Sequence, residues 1–222
     1  MLKYVTIKPK VYIEPTVISH LVARPSDDAI LASWQRASRQ LWEDYTDKFE
    51  FVISRIVHAE IQRGDPTAAR QRLEMVSRLR ILDPFPEADI LAQKLLDAGA
   101  VPRNSLTDAQ HIAIATVHSV EYLASWNHKH IVNENKREYI NQVCQAAGFQ
   151  PITICTPVEL MEDIQMKEIP EKYMFRNATK DDLDKVAALY RDWVSEASTG
   201  GLVVDTVDDL LCRLGPHFRY FL

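Results

Sequence analysis

Three carboxylates sit where secondary structure would deliver them to a common edge. Glu14 follows the apolar run Val11-Tyr12-Ile13, Glu60 lies in the second turn of a helix after residues 49–53, and Asp108 opens a helix leading to Tyr122-Leu123-Ala124. The carboxamide Asn127 follows that last run. Taken singly, a Glu after a strand or an Asp in a first helical turn reads as a cap or a solvated charge. Converging from separate segments, they read as an anionic pocket whose hard oxygen donors suit Mg2+ or Mn2+. Asp108 at a helix N-terminus is further favoured by the helix dipole. Zinc fits poorly, because the three cysteines, Cys144, Cys155 and Cys212, have no CxxC spacing. His111, one helical turn beyond Asp108, reads as a local packing or hydrogen-bonding residue rather than a ligand.

These residues need a scaffold, and the apolar patterning supplies one. Residues 11–13, 49–53, 81–82, 122–124 and 152–154 read as strands, β-prone and apolar. Pro15 interrupts the first, and a helix-prone stretch carries Trp34, Leu41 and Trp42 from about Asp28 to Tyr45. Ser54 is a good N-cap for the short helix of Val57 and Ile61. Gly64-Asp65-Pro66 signals a turn before a helix of Leu73, Val76 and Leu79. Further helices run over about 87–98, stopped by Gly99, through 112–117 after capping residues at 104–107, and over 136–147, stopped by Gly148. Strands alternating with helices imply an α/β domain with a parallel sheet, whose ligands bind beyond the carboxyl ends of the strands. Trp34 and Trp42 read as core or dimer contacts before a base-stacking platform. The arginines at 70, 72, 78 and 80 read as a solvated helix face.

Bulk properties narrow the classes. The 222 residues suit one or two domains, and 46% apolar with 26% charged residues is ordinary globular composition. No apolar run is long enough for a membrane span, and the N-terminus carries no secretory pattern. With the odd cysteine count, this leads us to expect a cytoplasmic chain. Net charge is −5; residues 1–166 hold 18 basic against 21 acidic side chains, residues 167–222 hold 8 against 10. The acidic excess of the first segment equals the three candidate carboxylates, so charge argues neither for nor against a polyanionic partner. No glycine-rich nucleotide cradle occurs.

Four segments carry a family resemblance. Val11 to Ser19, Ile53 to Ile61, Thr107 to Ala113 and Trp126 to Ile131 resemble the successive motifs of PIN-domain proteins, nearest the VapC-like toxins of type II toxin–antitoxin systems; Cys155 to Met161 resembles the threonine-proline segment that closes such domains. The resemblance implies a PIN-like three-layer α/β/α domain over residues 1–162. It also implies a toxin-type endoribonuclease with Glu14, Glu60 and Asp108 as ligands to Mg2+ or Mn2+, and Asn127 where a fourth acid often stands. Thr16 would orient phosphate or water. Lys129 and His130 either contact RNA phosphates or belong to a solvated loop. An antitoxin partner and a homodimer are implied by the family alone. Glu14 replaces the usual Asp and Asn127 is neutral, which leaves room for a weak enzyme, or for a silent PIN-fold module binding RNA or a protein.

Residues 163–172 read as a charged linker. Residues 173–222 read as a small α+β extension: a strand at 173–176, a helix capped by Thr179, a break at Gly200-Gly201, a short helix and a strand-like end from Phe218 to Leu222. This order resembles only the opening of a GNAT acetyltransferase, short of the loop that holds acetyl-CoA, so no acetyl-CoA binding is expected.

Overall fold

The computed structural model describes residues 8–168. The expected extension at 173–222, with all its strands and helices, lies outside the described residues. Five strands, β1 (Lys10–Ile13), β2 (Glu50–Ser54), β3 (Arg80–Leu82), β4 (Tyr122–Ala124) and β5 (Thr153–Cys155), form one parallel sheet in the order β3-β2-β1-β4-β5. Among the described residues the helices are α1 (Pro15–Val22), α2 (Ala29–Asp44), α3 (Arg55–Ile61), α4 (Pro66–Val76), α5 (Pro86–Asp97), α6 (Leu106–Val117), α7 (Glu134–Ala146) and α8 (Pro157–Glu168). The fold is a three-layer α/β/α arrangement. Strand residues such as Val11, Tyr12, Ile13, Val52, Ile53 and Leu123 are buried whichever way they alternate, as a sheet covered on both faces requires.

The register positions the site. Ile13 pairs with Ala124, and Ala124 with Cys155, so Glu14, Ser125 and Thr156 leave their strands at one level. From β1 the chain order steps outward to β2 and β3 on one side and resumes at β4 and β5 on the other. The gap between β1 and β4 is therefore the switch point of the sheet, where an open α/β fold forms its ligand crevice.

Local chemistry explains the element ends. Ser54 accepts from Val57 N and starts α3, and Asp65 accepts from Ala68 N and starts α4. Gly99 and Gly148, at φ +70° and +92°, take the left-handed conformation just past α5 and α7. Three sequence expectations need correction. Pro15 does not merely interrupt β1: it is the first residue of α1, where its missing N–H costs nothing, and Glu14 is the N-cap. β2 and β5 each lie one residue later than expected, at Glu50–Ser54 and Thr153–Cys155. Residues 163–168, expected in a linker, continue α8. They do so because Ile164 packs on the core, Asp163 accepts from Tyr122 OH at 2.6 Å and Gln165 donates to Tyr45 OH at 2.6 Å. No helix among the described residues is long and apolar enough to cross a membrane.

Candidate functional site

Glu14 continues the ladder beyond β1, its N–H donating to Ala124 O at 3.1 Å. That fixes its side chain in the crevice, 5% exposed. Its Oε2 accepts from Thr16 N at 3.0 Å, from Ser125 Oγ at 2.9 Å and from Thr16 Oγ1. Both hydroxyls also accept: Thr16 Oγ1 takes Trp126 N–H at 2.9 Å and Ser125 Oγ takes Asn127 N–H at 2.9 Å. The turn after β4 is thereby tied to the first carboxylate. Asn127 passes the connection on, its Nδ2 donating to Asp108 Oδ1 at 2.9 Å while its Oδ1 accepts from His130 N at 3.1 Å. Glu14, Thr16, Asp108 and Asn127 thus belong to one hydrogen-bonded network running through Ser125.

Glu60 joins from the other side. Its Oε2 meets His111 Nε2 at 2.8 Å, and His111 Nδ1 meets Tyr12 OH at 2.8 Å. Tyr12 OH in turn meets Ser54 Oγ at 2.7 Å. A proton on Nε2, shared with the Glu60 carboxylate, leaves Nδ1 to accept from Tyr12; Tyr12 then accepts from Ser54, and Ser54 from Val57 N at 3.3 Å. Each polar side chain of this Glu60–His111–Tyr12–Ser54 relay has a partner, as burial demands.

Electrostatics shows how close the arms are. Burial pushes the Glu14 carboxyl up, against the opposing pull of His111 and the bonds from Thr16 and Ser125. Burial also raises Asp108; His130, His111 and Ser105 pull it back, and Glu60 adds to the rise. Burial raises Tyr12, with Ser54 opposing and both Glu14 and Glu60 reinforcing. The three carboxylates therefore share one electrostatic neighbourhood centred on His111. They are not one ligand set as their side chains stand. Glu14 is turned to Thr16 and Ser125, Asp108 to Asn127 and Glu60 to His111, and among the described residues no three His, Cys, Asp or Glu side chains are close enough to share an ion. The donor chemistry nevertheless fits a hard dication: it is all oxygen, burial raises Glu14 and Asp108 so that a cation would relieve them, and Cys144 and Cys155 are buried, Cys155 within β5.

His130 stands beside Asp108, whereas Lys129 is exposed and its described bond is through its carbonyl, from Asn133 Nδ2 at 3.5 Å. Reading the sequence missed the parts that join the carboxylates: Tyr12, Ser125, Trp126 N–H and the bridging use of His111. Only His111 left a trace, one turn from Asp108 on an otherwise apolar helix.

No protein-family model matches this chain, and no curated protein matches it. Among solved structures it is similar to VapBC2 from Rickettsia felis, bound to a DNA fragment from their promoter. The identity is 15% and the TM-score 0.42, covering 66% of this chain and 98% of that one. At that distance no function passes from one protein to the other.

Proposed function

We propose that residues 1–162 form a PIN-type, divalent-metal-dependent endoribonuclease domain of the toxin kind, with Glu14, Glu60 and Asp108 as the groups that hold Mg2+ or Mn2+. One observation carries the reading. Four separate segments deliver buried or half-buried acids and a carboxamide to the switch point of a parallel sheet, where burial holds Glu14 and Asp108 above the ordinary carboxylate range. A dication bound among them would activate water and offset the charge that builds on phosphorus.

The chain's own residues have definable parts. Thr16 and Ser125 hold Glu14 in the crevice, and Asn127 sets the rotamer of Asp108 while fixing the turn that carries His130 and Lys129. In this reading those two side chains meet phosphate oxygens. His111 orients Glu60. An antitoxin and a second copy of the chain are the partners this reading implies.

Cleavage of a labelled single-stranded RNA tests it, with Mn2+, with EDTA, and with Asp108→Asn. The amide keeps the acceptor for Asn127 and removes the charge. Cutting should need the metal and fall more than about a hundredfold in the variant. Cutting that survives Asp108→Asn would count against the site.

A second reading, a silent module binding RNA or protein, is favoured by the saturation of Glu14 Oε2 by three donors and by the separation of the carboxylates. RNA binding without cutting, across varied RNAs and both metals, would select it.

A further inference from the structure

The two tryptophans of α2 have different surroundings. Trp42 stacks on Phe51 over the sheet, at 5.5 Å between ring centroids. Trp34 instead stacks on Trp126, at 5.2 Å and 12° between planes, and Trp126 is the residue between Ser125 and Asn127 of the carboxylate network. Trp126 is held rigidly: its indole N–H donates to Ser38 Oγ at 2.8 Å and its backbone N–H to Thr16. His20 sets its edge against both rings, and His128 lies 5.2 Å from Trp34 and 6.2 Å from Trp126. Trp34 is half-buried and His128 exposed, so the group keeps an open side.

That side opens into a cleft of about 330 Å³ lined by Trp34, Trp126 and His128 on one side and by Thr156, Val158 and Arg137 with its carboxylate partners Glu134 and Glu159 on the other. The volume is at the small end of ligand pockets, suited to a single flat group rather than a folded partner. Three features decide what kind of group. One wall is made of the planar rings of Trp34, Trp126 and His128, and such rings are surfaces that any nucleobase can stack upon. Its frame is preorganised, so little ordering is needed on binding. It lies at the carboxyl edge of β4 and β5, and its Trp126 and His128 flank Asn127, whose amide donates to Asp108.

We propose that this cleft is a nucleobase subsite, in which one unpaired base of a single-stranded RNA stacks on Trp34 and His128 while its phosphate lies toward Asp108 and His130. The proposal rests on the ribonuclease reading for its substrate and adds what that reading lacks, a device that takes the base out of the strand and sets which phosphodiester is presented.

Tryptophan fluorescence of full-length Asp108→Asn, titrated with short oligo(rA), oligo(rU) and oligo(rC) and with an abasic strand of equal phosphate count, tests it directly. At least one of the three should quench the emission while the abasic strand binds at least tenfold more weakly. In the same background His128→Ala should weaken binding a few-fold. Trp34→Ala should weaken it about five- to a hundredfold, with recovery in Trp34→Phe. Because His128 is exposed, its variant keeps the test open should Trp34→Ala fail to fold.

Equal binding of the abasic strand, binding indifferent to Trp34 and His128, or no binding of any strand overturns the subsite. Base-dependent binding by a chain that never cuts RNA sustains the subsite while removing the nuclease. Metal-dependent cutting whose position and rate ignore Trp34→Phe, Trp34→Ala and His128→Ala does the reverse. Displacement by an apolar peptide but not by nucleobases would assign the cleft to a protein partner, and would likewise overturn the proposal.

Discussion

Glu14 carries its carboxylate in the crevice against two hydroxyls and a backbone N–H, and its raised pKa has a thermodynamic consequence. An acid raised in the folded state binds its proton more readily folded than unfolded. The stabilisation is complete below the ordinary carboxylate range and is lost as pH climbs through the raised value. In EDTA the melting temperature should therefore fall from mildly acidic pH toward neutrality. Glu14→Gln, which keeps the acceptor for Thr16 and Ser125, should flatten much of that fall and raise the melting temperature at neutral pH; a variant that melts like the parent at every pH would contradict this. His111 works in the opposite sense. Its removal leaves Tyr12 OH and Glu60 without their shared partner, so His111→Ala should cost about 2–3 kcal/mol in chemical denaturation and lower cleavage through a displaced Glu60. At this scale the sequence displayed the acids clearly, because charge at a strand end or first helical turn is visible as a letter. It hid Ser125 and Tyr12, because a hydroxyl or phenol gains its meaning only from what it touches.

At the scale of elements, α8 is locked at its start. Thr156 N donates to Glu159 Oε2 at 2.6 Å and Glu159 N to Thr156 Oγ1 at 3.2 Å, a reciprocal capping box. Arg137 of α7 grips the same carboxylate at 2.9 and 3.1 Å. Burial works to raise Glu159, but the bonds from Arg137 and Thr156 together outweigh it and hold the carboxyl below its usual value. The lock is thus present above the ordinary carboxylate range and lost as pH falls through the lowered pKa. Glu159→Gln should lower the free energy of unfolding in urea at neutral pH by about 1 kcal/mol, an amount kept small by the partial exposure of the pair. The loss should shrink as pH falls through that lowered pKa, and one that persisted at all acid pH values would assign the effect to packing. Most elements were legible: residues 122–124 form a strand as read, and Gly99 and Gly148 end their helices. Helix α1 was not, since a proline reads equally well as a breaker or as a first helical residue. Helix α8 was not, since its charged composition resembles a linker until Ile164 and Asp163 find the core.

For the molecule as a whole, alternation of strands and helices gave the parallel sheet, but no local pattern encodes the order β3-β2-β1-β4-β5 that creates the crevice beside β1. The described core closes within residues 11–164, and the chain's first compact unit ends at Lys167. A chain stopped after Lys167 should therefore melt cooperatively and retain whatever RNA cutting the full chain shows, whereas a broad, non-cooperative melt would make residues 168–222 part of the fold. Full-length protein should show no heat of binding with acetyl-CoA.

The most direct test asks whether three carboxylates held by different partners act as one site. Mn2+ binding, followed by the loss of its free electron-paramagnetic signal, should saturate in the full-length chain and weaken at least tenfold in each of Glu14→Gln, Glu60→Gln and Asp108→Asn. Binding that is equal in all four proteins, or absent from the parent, would contradict a shared cation site and leave the crevice without the chemistry assigned to it.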